Sequence, residues 1–233
     1  MSIRETLFAA ADIWMVAVGL VYGIKFIRNH QNYLLGIEWL VMAASGTNFL
    51  IYGLVQAGSD SPMYSIAFFL DAFSRSIGFT LILVLGLMRV THLYKPSAAV
   101  DTSAFALAVI VGFVLFRFAD ELGTLGKVFF LICAALTSVY LVYFAWRLWA
   151  IGERRHAMWV AAAITCNLVV AAIYDFVHLP GDDADRTIFY TLALSTWGLA
   201  MFTIYRAYRA FDGRLAATSV PQPLTSPDEV RAR

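Results

Sequence analysis

The stretch "FFLDAFSRSIGF", residues 68 to 79, sets Asp71 and Arg75 four positions apart inside an apolar run long enough to cross a bilayer. On a helix this spacing stacks the two side chains on one face with the acid nearer the N-terminus, the better order for an ion pair. With a rise of about 1.5 Å per residue counted from Tyr64, Asp71 would lie about 10 Å and Arg75 about 16 Å into the run. A charge at such a depth costs several kcal/mol unless it faces the protein interior and finds a partner. The pair therefore marks either a solute site or a buried ion pair that fixes one helix against its neighbours.

Other polar groups fall at a similar depth. Ser45, Asn48, Tyr52 and Gln56 are spaced three, four and four, which draws one polar stripe along a helix. Asn167, Tyr174 and His178 follow at seven and four, with Asp175 three before the histidine. Asp12, Thr191 and Ser195 add polar groups from the first and last apolar runs. Taken singly, such residues often tie helices together. Taken together, they are expected to converge on one cavity, with Asp12, Asn48, Tyr52, Asp71, Arg75, Tyr174, Asp175 and His178 as candidate ligand-binding residues. Glu38, one turn inside the second run, is expected to pair with Lys25 or Arg28.

Several chemistries lack their residues. His30, His92 and His156 sit at helix ends on one side and His178 on the other, so no histidine pair at matching depth could hold a haem. No two histidines have the three- or four-residue spacing of a metal site on one helix, and no cofactor or metal is called for. Cys133 and Cys166 both lie in apolar runs and read as small buried hydrophobes. Retinal proteins share a seven-helix plan but need a lysine within the last helix, and "TLALSTWGLAMFTIY" has none. A sugar-transporter family with three-plus-one-plus-three helices carries a proline in the first helix of each half. Here all six prolines, at positions 62, 96, 180, 221, 223 and 227, fall in loops or the tail. Without them the helices are expected to be unbroken, which argues against the half-helix sites of many secondary transporters.

These residues must be positioned by membrane helices. The chain is 61% hydrophobic and 14% charged with a mean hydropathy of +0.72, far from the composition of soluble domains. About twenty apolar residues cross a hydrocarbon core. Seven runs qualify, at 7 to 27, 34 to 57, 64 to 90, 103 to 119, 124 to 149, 157 to 179 and 187 to 209. Short connections join them, so the expected fold is all-α, one seven-transmembrane-helix bundle over residues 1 to 211. Residues 212 to 233 carry three prolines and no apolar periodicity and are read as a disordered cytoplasmic tail. "MSIRE" shows no cleavage signal, so the first run is read as a retained span.

Twelve lysines and arginines flank the runs on one side and four on the other. Cytoplasmic flanks retain basic residues, which sets the N-terminus outside and the C-terminus inside, in a cell (inner) membrane. Trp39 with Trp159, Phe69 with Phe189, Gly78 with Gly198 and Arg89 with Arg209 match at an offset of 120, compatible with a 3+1+3 pseudo-repeat. The near-neutral net charge of +1 argues neither for nor against nucleic acid, and no nucleic-acid partner is expected. The expected partners are the lipid bilayer and a small-molecule solute, and a homo-oligomer is compatible with the pattern. The expected function is binding of a small polar or anionic solute in an outward-facing cavity, for transport or sensing. An intramembrane acid/base or metal enzyme and an accessory membrane subunit are the alternatives.

Overall fold

The computed structural model describes residues 2–55, 58, 60–183 and 186–219, and these form eight helices. They are α1 (Ile3–His30), α2 (Tyr33–Val55), α3 (Pro62–Arg75), α4 (Ile77–Thr91), α5 (Ala98–Arg117), α6 (Ala119–Ala150), α7 (Arg154–Tyr174) and α8 (Thr187–Ser219). No strand occurs among the described residues. Six helices are long and apolar enough to cross a membrane, and seven spans result if α3 and α4 count as one.

Local chemistry sets the helix starts. Ser2 caps α1 in a reciprocal box with Glu5, Ser61 caps α3 ahead of Pro62, and Ser97 caps α5. Each hydroxyl satisfies a backbone N–H that has no partner within its own helix. Asp182 serves α8, its carboxylate accepting from the backbone N–H of Ile188 and Phe189 at 2.8 and 3.0 Å. The range of α6 contains a break at Gly123, where φ of 45° and ψ of −121° lie outside helical space. Glycine tolerates that conformation because it has no Cβ.

The sequence led us to expect unbroken helices, and the third run corrects this. α3 and α4 meet at a 52° bend, with Ser76 extended between them at φ −82° and ψ 178°. No proline is involved. The Ser76 hydroxyl donates to the Phe73 carbonyl at 2.9 Å and accepts from the Gly78 N–H at 3.2 Å. Both are groups that an uninterrupted helix would have paired, so the side chain replaces the lost backbone bonds.

A second correction concerns the tail. α8 runs to Ser219 rather than ending near Phe211. Residues 212 to 218 are held by polar contacts: Asp212 Oδ2 lies 2.8 Å from His30 Nδ1, and Arg214 Nε donates to Glu153 at 2.7 Å. Leu215 packs against the apolar core. Residues 220 to 233 of the expected tail lie outside the described residues.

In space, α2, α1, α8, α7 and α6 follow one another, and α3 with α4 closes the ring between α6 and α2. α1 and α2 approach closely at Gly23 and Gly36, where a Cβ on either would come within about 3 Å of the other's carbonyl oxygen. Such small residues let membrane helices pack backbone to backbone. α5 stands outside the ring and buries only Ala104, Ala108 and Gly112. Ala108 fits against Gly78 of α4, and Gly112 against Phe73 of α3, so α5 touches both sides of the break.

The main core runs along the bundle from Ala11, Met15 and Leu194 to Tyr208 and Phe211, and its largest enclosed side chains gather in one half. Phe26, Trp39, Leu87, Phe144, Tyr208 and Phe211 are fully enclosed there, near the end that carries Lys25, Arg28, Arg89, Arg147, Arg154 and Arg155. We call this the basic end. Asn32 spans it, donating to the Gly86 carbonyl at 2.8 Å and to the Tyr208 hydroxyl at 3.3 Å. The opposite half is less completely filled and contains the site.

Candidate functional site: an ion cluster at a broken helix

Arg75 is the last residue of α3, immediately before the break. Its Nη1 donates to Asp71 Oδ2 at 3.1 Å, and its Nη2 is bound to Asp175 Oδ2. The first contact is the helical pair expected from the spacing. The second reaches α7, whose C-cap residue is Asp175. Tyr174 reinforces that link by donating its hydroxyl to Asp71 Oδ1 at 2.8 Å. α3 and α7 otherwise barely touch, so these polar contacts carry the junction.

The guanidinium also lies between two rings. Its carbon is 3.6 Å from the Tyr174 ring centroid and 4.4 Å from that of Phe130 on α6. A planar, weakly hydrated cation is suited to such a sandwich. Trp197 of α8 stacks on the far aromatic neighbourhood, 6.3 Å from Tyr174 with planes 23° apart. Three helices thus close around one charge.

Beside this cluster lies a cavity of about 350 Å³ bounded by every helix of the ring. Its polar wall includes Ser45, Asp71, Ser74, Arg75, Ser76, Thr80, Asn167, Tyr174, Asp175 and Tyr190. Its apolar wall includes Met15, Met42, Phe49, Phe79, Leu83 and Trp197. The Ser74 hydroxyl is buried with no hydrogen-bond partner among the described residues. Thr80 bonds the Thr137 hydroxyl at 2.7 Å and the Cys133 carbonyl at 3.3 Å, which ties α4 to α6 along one side.

Of the residues singled out from sequence, Asp71, Arg75, Tyr174 and Asp175 come together on this wall. Ser45 and Asn167 line it as well, whereas Asp12, Asn48, Tyr52, His178, Thr191 and Ser195 do not. Asn48 donates to the Met63 carbonyl at 3.0 Å and so fastens α2 to the start of α3. Tyr52 packs its ring 6.0 Å from that of Tyr64. His178 is exposed in the loop after α7, and Gln56 lies outside the described residues. Thr191 and Ser195 return their hydroxyls to carbonyls one turn back in α8.

Asp12 is fully buried, and neither of its oxygens has a hydrogen-bond partner among the described residues. It sits directly behind the cavity wall: a Cβ on Gly46, which lines the cavity, would fall 2.7 Å from Asp12 Oδ1. Glu38 is likewise fully buried, and its carboxylate has no hydrogen-bond partner among the described residues. This corrects the expected pairing with Lys25 or Arg28. Those two bases are exposed on α1, whereas Glu38 shares the inward stripe of α2 with Met42, Ser45 and Phe49.

Comparison with protein-family models, with curated proteins and with solved structures returns no match to this chain. The chemistry of the site is therefore the guide to its use. Sequence reasoning passed over Ser74, Ser76, Thr80 and Trp197. Ser76 carried a usable signal, since serine competes for backbone hydrogen bonds and glycine follows two residues later. Among the described residues, no group of three histidine, cysteine, aspartate or glutamate side chains is arranged to hold a metal ion.

Proposed function

We propose that this chain is an integral protein of the cell membrane that binds a small solute in the cavity beside Arg75, from the outer side, for transport or sensing. One observation supports the reading above the rest. Arg75, Asp71 and Asp175 meet at the break between two half-helices and border an unfilled space. Charge held within a bilayer is expensive, and a purely structural junction could use small residues or a single amide at far lower desolvation cost. Broken helices at mid-depth are a recurrent way to present polar groups to a solute.

The distribution of basic residues supports an orientation. Positive flanks stay in the cytoplasm, which would put the basic end inside and the cavity half outside. The volume lies at the small end of the range for small-molecule sites, about 300 to 1,000 Å³. In this reading Asp71 and Tyr174 hold the cluster in shape, while Ser74, Asn167 and Tyr190 offer hydrogen bonds to the occupant.

Ala171 lines the cavity and makes a suitable reporter. In a chain carrying Cys133→Ser and Cys166→Ala, Ala171→Cys should react with a small impermeant methanethiosulfonate reagent added outside intact cells. Protection of that position under all outside conditions, with reaction only from the cytoplasmic face, would overturn the outward-facing reading.

A further inference from the structure

The charges around the cavity do not balance, and the imbalance points to the kind of solute. Deepening the binding reading above and resting on it, we infer that the cavity takes a small organic cation, an ammonium group carried on an apolar body, rather than an anion. With Asp71 as its sole partner, Arg75 would suit an anion as counter-charge. In the fold it has two: Asp71 on Nη1 and Asp175 on Nη2. The Tyr174 and Phe130 rings lie close against the guanidinium, at 3.6 and 4.4 Å from its carbon. An incoming anion would meet a guanidinium already flanked by two carboxylates.

Two carboxylates against one guanidinium leave the cluster with one formal negative charge to spare. Asp12 adds a third carboxyl group behind Gly46, fully buried and without a partner among the described residues. Arg186 keeps its positive charge but does not line the cavity; its Nη1 and Nη2 face the carbonyls of Tyr174 and Val177 at the end of α7, at 2.6 and 3.2 Å. The helix ends do not decide the sign either. The C-terminus of α3 and the N-terminus of α4 meet at Ser76, and their opposite partial charges, about half a unit each, cancel to first order.

The rest of the wall selects among cations. A hard metal ion needs about six oxygen ligands, whereas Phe49, Phe79, Trp197 and Met42 offer carbon, sulfur and ring faces. Ring faces attract alkylammonium groups, most strongly where water is excluded. An ammonium carried on an apolar body satisfies both halves of the wall.

The test compares three probes of similar shape on the full chain in neutral detergent micelles. They are benzyltrimethylammonium, the uncharged neopentylbenzene and benzenesulfonate, and thermal unfolding is followed at rising concentration. A ligand that binds only the folded state raises the unfolding temperature in a saturable way. The ammonium should do so, and the sulfonate should not. Asp175→Asn should weaken the ammonium response at least tenfold, and Asp71→Asn provides the same reading should the first variant fold poorly. Preference for the sulfonate, or equal response to the ammonium and the neutral probe, overturns the cation assignment and leaves the binding reading standing. Lack of a saturable response to all three, together with an unreactive Ala171→Cys, removes both.

Discussion

Asp71 and Asp175, on different helices, share the single guanidinium of Arg75, one through each terminal nitrogen. The cluster is thus a triad, and its members are not equivalent. Removing Arg75 strands two carboxylates, whereas removing either acid leaves the cation with a partner. Arg75→Gln should therefore cost the most, about 3 to 5 kcal/mol, and Asp71→Asn or Asp175→Asn clearly less. The double Asp71→Leu, Arg75→Leu variant should remain damaged, because Asp175 is still buried and unpaired. Only the triple variant with Asp175→Leu should recover. Unfolding of the purified variants in detergent checks the order, and full recovery in the double variant would show that Asp175 is not a member.

Ser76 is the second point of leverage. Its hydroxyl makes two hydrogen bonds that stand in for the interrupted backbone ladder. Ser76→Ala should destabilise the chain by about 1 kcal/mol, the usual effect of losing a helix cap, and Ser76→Thr should retain most of it. Equal stability of Ser76→Ala and the parent chain would mean that the bend is imposed wholly by packing.

How much of this could be read from residues alone differs by element. The spans were legible because twenty apolar residues in a row have few other fates, and α1, α2, α5, α6 and α7 fall close to the expected runs. The Asp71–Arg75 pair was legible because it depends only on helical geometry within α3. Asp175 was singled out, but its bond to Arg75 needed α7 to be placed beside α3, which no local pattern specifies. The break at Ser76 escaped because proline was taken as the mark of an interrupted helix, while here a serine side chain does the same work. Asn48 and Tyr52 shared a stripe with Ser45, yet one to two turns farther along α2 that stripe meets α3 rather than open space.

Membrane orientation is open to a direct check. With the basic end in the cytoplasm, Asp183→Cys should react with an impermeant thiol reagent applied to intact cells, and Arg154→Cys should react only after permeabilisation. The reverse pattern would place the cavity half in the cytoplasm.

A pH-dependent contact is predicted at the basic end. The Arg214 hydrogen bond, aided by His156, holds the Glu153 carboxyl below its ordinary value of 4.5. A carboxyl depressed on folding contributes stability above its ordinary value and loses it as pH falls through the folded one. Arg214→Gln should thus lower stability at neutral pH by less than about 1 kcal/mol, since the pair is partly exposed. The gap between the two proteins should close as pH drops below 4.5. A gap that stays constant into acid would assign the effect to packing of the α8 extension.

α5 stands outside the ring, against both limbs of the break. Its contacts give it the mechanics of a splint. Gly112 bears on Phe73 before the break and Ala108 on Gly78 after it, so one uninterrupted rod braces both limbs of a jointed one. α5 thereby braces the angle at Ser76 from outside the ring. To straighten or deepen the bend, α5 must slide or tilt, and its opposite face touches only hydrocarbon in the proposed setting. Bilayer thickness and lateral pressure, acting on α5, would then reach the Arg75 guanidinium through two close contacts.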